Sequence, residues 1–136
     1  MNIIVCLDDR DGLLFNGRRQ SKDSLLRRRV QQIVGEGKLW MNSYSIRQFD
    51  ERFCDICVDD AFLQKAGEGD YCFLETADIA NCLDRVESVI VYRWNRTYPS
   101  DVKFPIAELL QNRHLISRFE FPGSSHEMIT EEVYSL

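Results

Sequence analysis

At 136 residues, with 44% hydrophobic and 29% charged side chains, the chain is sized for one domain spanning residues 1–136 and lacks the charge bias of a disordered polymer. No apolar run approaches the roughly 18 residues that cross a bilayer as a helix, so no membrane partner is expected. The net charge of −5 argues against a general nucleic-acid binder, because phosphate affinity comes from accumulated positive charge.

The first residues lack the basic segment, apolar core and small-residue cleavage site of a secretory leader, and residues 2–7 are needed as a strand. The five cysteines, Cys6, Cys54, Cys57, Cys72 and Cys82, are odd in number. Most lie in apolar stretches, where a thiol behaves as a small hydrophobe. Both features point to reduced thiols and a cytoplasmic protein. Cys54 and Cys57 have C-x-x-C spacing, but residues three apart in an extended segment face opposite ways, and no second pair is present for zinc. No metal site is expected.

In chain order, Asn2–Leu7 reads as a strand, followed by the polar turn 8–12 and the apolar Leu13-Leu14-Phe15. Ser21 or Asp23 caps a helix through about Val34, in which Leu25, Leu26, Val30, Ile33 and Val34 recur at helical spacing. Lys38 to Asn42 is a second buried strand, and a short helix follows through Ile46 and Phe49. A weaker strand covers Cys54 to Val58, and Asp59 or Asp60 caps a helix with Phe62, Leu63 and Ala66 on one side. Tyr71 to Leu74 is a fourth strand, and a helix near Ala77 to Leu83 leads to the longest candidate, Ser88 to Trp94. Near-continuous apolar strands separated by helices predict an α/β fold, a mostly parallel central sheet with helices on both faces.

After Trp94 the alternation ends. A loop carrying Pro99, a short extended piece at Lys103 to Ile106 and an apolar strand over Leu115 to Phe121 come next. Ser124-Ser125-His126-Glu127 then has capping-box spacing ahead of Met128, Ile129 and Val133, which predicts a short C-terminal helix. Gly35-Glu36-Gly37 and Gly67-Glu68-Gly69 each follow a helix and precede a strand. That is the reverse of the order a phosphate loop needs, so they read as helix stops.

Two groups of residues are candidates for binding an anion. Arg18, Arg19, Lys22, Arg27, Arg28 and Arg29 fall in one short stretch, whereas everything after Arg118 is acidic, with Glu120, Glu127, Glu131 and Glu132. The basic stretch either grips a compact anion or forms a solvated helix face paired with the acidic tail. Ser124, Ser125 and His126 at a helix N-terminus offer amides and hydroxyls to an anion, and Arg93, Asn95 and Arg96 leave a strand end that converges on them. The alternative role for that segment is capping alone. Ser, His and Glu adjacent in sequence do not make a catalytic triad, whose members must meet in space in a set hydrogen-bond order.

The order of these pieces resembles dihydrofolate reductase over roughly residues 1–121. Asp23, ahead of Leu25-Leu26, is similar to the acid that the family's first helix supplies to the pterin pocket, and is the candidate catalytic residue. Leu39-Trp40-Met41-Asn42-Ser43-Tyr44-Ser45 looks like the apolar strand and Gly-Arg-x-Thr cofactor turn. Tyr71-Cys72-Phe73-Leu74-Glu75 resembles the strand before the cofactor glycine pair, and Phe104-Pro105 the later Phe-Pro. Arg52 falls near the position where the family anchors a substrate carboxylate.

The departures bear on function. Asn42-Ser43-Tyr44-Ser45 carries no guanidinium for a cofactor phosphate, and Glu75-Thr76 stands where adjacent glycines admit the dinucleotide. Arg18 and Arg19 replace the Trp-Pro element before the acid. The resemblance therefore implies the scaffold without NADPH binding in the family manner. Asp23 is either an acid of raised pKa facing a heterocycle or an ordinary first-turn carboxylate favoured by the helix dipole.

The chain also resembles a group of short bacterial proteins sharing segments like Arg93-Trp94-Asn95-Arg96 and Gly123-Ser124-Ser125-His126-Glu127, sometimes labelled ribonuclease Z. The zinc-dependent nuclease of that name uses an H-x-H-x-D-H cluster, and His114 and His126 supply no such spacing. The expectation is a small-molecule-binding protein for an anionic or heterocyclic, pterin- or nucleotide-like ligand, without NADPH-dependent turnover. The alternatives are a divergent NADPH-dependent reductase and a protein-interaction domain, for which a homodimer through an exposed sheet edge would serve.

Overall fold

The computed structural model describes residues 1–49 and 55–136, so Arg52, Cys54 and the start of the predicted strand at Cys54 lie outside the described residues. The centre of the fold is β1 (Asn2–Leu7), which pairs in parallel with β6 (Tyr71–Leu74) on one side and β7 (Ser88–Arg93) on the other. Beyond β6 lie β4 (Lys38–Met41) and then β5 (Asp55–Val58), both parallel. Beyond β7 come β10 (Ile129–Ser135) and β9 (His114–Phe121), both antiparallel to their neighbours. The seven-stranded order is β5-β4-β6-β1-β7-β10-β9. A small antiparallel sheet, β3 (Arg18–Arg19), β2 (Gly12–Phe15) and β8 (Val102–Lys103), stands beside it. Its β2–β3 hairpin turns at Asn16-Gly17, both with positive φ, the backbone that a two-residue turn of this hand requires.

The central strands read as unbroken apolar runs because both of their faces are covered. Ile3, Val5 and Leu7 of β1 point into one core with Val89 and Val91, while Ile4 points into the other with Phe73, Ile90 and Tyr92. The second core is roofed by α1 (Ser24–Val34), whose Leu26, Val30 and Val34 recur at four-residue intervals and are buried. The first is covered by the single-turn helices α2 (Phe62–Lys65) and α3 (Ile106–Leu109). Helices therefore lie on both faces, with only one of substantial length among the described residues. Cys72 and Cys82 are buried without disulfide partners, and desolvation pushes the Cys72 thiol up to about 12. No described helix is long and apolar enough to cross a membrane.

Three predicted helices are corrected. The C-terminal helix is instead strand β10, held between β7 and β9. Ile129, Thr130, Val133 and Tyr134 are β-branched or aromatic and suit a strand paired on both sides. The spacing of Ile129 and Val133 looked helical only while those neighbours were out of view. The segment at Ala77 to Leu83 is mostly turn, with one 3₁₀ turn at Leu83–Arg85, and the segment near Ile46 is a 3₁₀ turn at Ser45–Gln48. Each is too short to reach the cost-effective length of an isolated α-helix and is held by packing instead. Leu26→Ala, at a side chain 2% exposed, is expected to cost about 2–5 kcal/mol, read as a lower urea midpoint with an unchanged slope.

Candidate functional site

Asp23 is the N-cap of α1, and its Oδ1 accepts hydrogen bonds from the amides of Leu25 at 3.0 Å and Leu26 at 3.2 Å. The same carboxylate also closes the turn between β9 and β10. The Ser124 amide donates to Oδ1 and the Ser125 amide to Oδ2, each at 2.9 Å. His126 Nδ1 lies 2.9 Å from Oδ2. Gly123 is required by this approach, since a Cβ there would sit 2.4 Å from Asp23 Oδ2. Burial of the carboxyl works to raise its pKa, but the hydrogen bonds from His126 and from the amides of Ser124, Ser125 and Leu26 outweigh it and hold the pKa well below the ordinary value. Asp23 is thus an ionised acceptor, and the raised pKa considered for a proton donor is corrected.

His126 continues the chain of contacts. With Nδ1 directed at the carboxylate, Nε2 lies 3.0 Å from the hydroxyls of both Ser21 and Tyr98. Trp94 stacks on the imidazole with centroids 4.4 Å apart. Asp23, His126 and Ser21 follow one another in the order of a nucleophilic triad. However, Nε2 is shared with Tyr98, the imidazole is 2% exposed, and Ser21 faces a cavity of only about 10 Å³. That is room for about one water, so the arrangement works as a lock between α1 and the β9–β10 turn.

Arg19 and Glu75 also line this cavity. Their pair is bidentate, at 2.8 and 3.0 Å, and Glu75 Oε1 also accepts from Ser45 Oγ and Gln48 Nε2. The Arg19 guanidinium lies 4.2 Å above the Tyr44 ring. Beneath this cluster Cys6, Asp23, Phe73 and Trp94 line the small remaining space. A further carboxylate, Asp8, is 1% exposed. It accepts from the amides of Arg10 and Gly12 and, through Oδ2, from Gln20 and the Tyr98 amide, which sets Tyr98 against the hairpin.

The predicted site residues divide accordingly. Ser124, Ser125 and His126 do gather round an anion, but the anion is the chain's own Asp23, and they sit in a turn with no helix behind it. The Ser124 hydroxyl accepts from the Ser24 amide and the Ser125 hydroxyl donates to Lys22 O. Arg93 does not converge with them. Strand alternation sends it to the face opposite Trp94, where it binds Asp8 O and Asp11 and approaches Glu132. Asn95 donates to Met128 O and Thr130 Oγ1. Arg19 is held by Glu75. Arg29 of the basic stretch pairs with Glu131 of the acidic tail at 2.7 and 3.0 Å, and Tyr92 OH donates to the same carboxylate.

Arg18 and Arg96 remain exposed, each on its own open groove. Arg18 shares one of about 520 Å³ with Phe15, Tyr98 and Pro99. Arg96 shares one of about 440 Å³ with Trp94, His126 and Met128. The sequence reading passed over Asp8 and Tyr98. The spacing of Asp8 to Arg10 and Gly12 is an Asx-turn signal that marks Asp8, whereas Tyr98 carries no local signal. Among the described residues no group of three or more His, Cys, Asp or Glu is arranged to hold a metal ion.

No family model matches the chain, and no curated protein matches it by sequence. Among solved structures it is similar to a dihydrofolate reductase from Enterococcus faecalis complexed with NADP(H) and RAB-propyl, with a TM-score of 0.69 and 8% identity over 98% of this chain and 94% of that one. The fold is therefore dihydrofolate reductase-like, in a strongly diverged sequence.

Because the Asp23 pKa is depressed by folding, its contribution to stability is complete above the ordinary carboxyl value of about 3.9 and is lost as pH falls below it. Asp23→Asn is expected to flatten the acid limb of a stability–pH curve between about pH 4 and 2, measured by urea titration at each pH. Glu75→Ala leaves Arg19 partly buried and unpaired, and the expected loss is about 3 kcal/mol, measured by the same titration at neutral pH.

Proposed function

We propose that the chain is a small-molecule-binding protein on a dihydrofolate reductase-like scaffold, taking a flat anionic ligand of pterin or nucleotide type without NADPH-dependent turnover. The observation that carries this reading is the Arg19–Glu75 pair. Glu75 of that pair stands where the resemblance places the cofactor glycines, and the space that the pair lines is about 10 Å³. A pterin ring does not enter a volume of that size, so binding moves outward to the groove beside the β2–β3 hairpin. That groove, at about 520 Å³, falls within the ordinary range for small ligands. Phe15 and Tyr98 offer ring surface there. Arg18 offers a guanidinium with no side-chain partner among the described residues, suited to a bidentate carboxylate or phosphate.

Other features argue against a reductase. The Ser43 amide and hydroxyl, in the segment similar to the cofactor turn, are already bound to Asp60. The carboxylate of Asp23 is engaged by its own chain, which makes it a positioning residue in this reading.

A thermal-shift series with AMP, a pterin carboxylate, folate and NADPH tests the proposal. AMP or the pterin carboxylate is expected to raise the Tm, and Arg18→Ala to abolish the rise while leaving the unliganded Tm unchanged. Arg28→Ala, at an exposed cation of α1 that does not line the groove, is expected to leave the rise intact. Oxidation of NADPH in the presence of dihydrofolate would overturn the proposal in favour of a divergent reductase.

A further inference from the structure

Strand β9 forms an outer edge of the seven-stranded sheet, and among the described residues only β10 pairs with it. His114 to Glu120 are all exposed, including Leu115 at 49%, Ile116 at 61% and Phe119 at 46%. An eight-residue edge carrying large apolar side chains, with no proline inside it, is a template for a further strand.

We propose that β9 pairs antiparallel with β9 of a second copy of this chain, about a two-fold axis at Phe119, so that two sheets become one. The choice of partner and register follows from symmetry and charge. A two-fold axis perpendicular to the sheet keeps each face on its own side. Opposed residues then differ by an even number, and the axis passes through one residue. Pairing with β10 is regular from Phe121 to Ser117 and shifts register beyond Ser117. Phe119 is the middle of that regular run.

An axis there sets Phe119 against its own copy and each Arg118 across from Glu120 of the second copy. Moving the axis to Arg118 opposes two guanidiniums, which is unfavourable. Moving it to Ser117 sets Arg118 against Ile116 and leaves it without a carboxylate opposite. Arg118 and Glu120 already lie 2.7 Å apart along one strand, so the axis at Phe119 assembles four alternating charges on one face. On the other face the Phe119 ring is held in place by the Arg29 guanidinium at 4.8 Å and the Phe121 ring at 5.9 Å. Arg29 is itself neutralised by Glu131. The central apolar contact is therefore ordered before association.

Sedimentation velocity on the full chain over a range from 1 to several hundred micromolar, about the span over which weak dimers form, tests the proposal. A concentration-dependent dimer is expected. Arg118→Glu and Glu120→Arg, each at an exposed position, are each expected to raise the dissociation constant at least tenfold, with unchanged circular dichroism. Mixing the two variants is expected to restore association, since one then presents two carboxylates and the other two guanidiniums across the axis. That rescue separates pairing between copies from a role for Arg118 and Glu120 within one strand. A monomer throughout the range, a dimer indifferent to either variant, or no recovery on mixing would overturn the proposal. Association only with an added strand-forming peptide would likewise overturn it in favour of a foreign partner.

Discussion

The carboxylate of Asp23 completes two elements that neither could complete alone. A helix start leaves amides without partners, and a tight turn between two strands does the same. Asp23 supplies acceptors to both, from Leu25 and Leu26 on one side and Ser124 and Ser125 on the other. His126 meets the buried carboxylate from the turn side through Nδ1 and reaches the hydroxyls of Ser21 and Tyr98 through Nε2. Once this carboxylate is in place, α1 is fixed on one core, the β9–β10 turn is fixed against α1, and the Tyr98 segment is fixed beside the hairpin. Trp94, Tyr98, Ser125 and His126, which line the two grooves, are tied to that set of contacts.

The elements that were legible in the amino-acid order are those decided locally. Strands β1, β4, β6 and β7 show themselves as apolar runs, and α1 shows its cap, its four-residue periodicity and its stop at Gly35. Strand β10 was not legible, because what makes it a strand is the slot between β7 and β9 and the partners that allow Glu131 to be buried. Arg29 and Tyr92 supply those partners from elsewhere in the chain. The site divides in the same way. Asp23 and His126 each stood out by residue type, but their pairing spans 103 positions and no local pattern encodes it. The opposite orientation of Arg93 and Trp94 was present in strand alternation, and the expected convergence overlooked it.

On a scaffold shared with dihydrofolate reductase, the Arg19–Glu75 pair marks where this chain takes a different course. A guanidinium and a carboxylate are bonded to each other and to Ser45, Gln48 and Tyr44. Phe73, Leu74 and Trp94 line the same small space, so losing either charge of the pair would leave the other without its partner beside apolar side chains. The groups left at the surface are aromatic rings and guanidiniums beside open grooves.

The separation between Asp23 and the turn it closes has a consequence for biosynthesis. The Ser124 amide lies 101 positions after Asp23, and at ordinary elongation rates about 5–20 s pass between the two leaving the ribosome. Throughout that interval α1 has its first turn capped on one side only, with the carboxylate still in water. The parallel strands from β1 to β7 can assemble meanwhile, but the carboxylate becomes buried only when the last hairpin arrives. A chain lacking residues 123–135 would therefore lose β10 from between β7 and β9 and leave α1 without the bonds that join it to the β9–β10 turn.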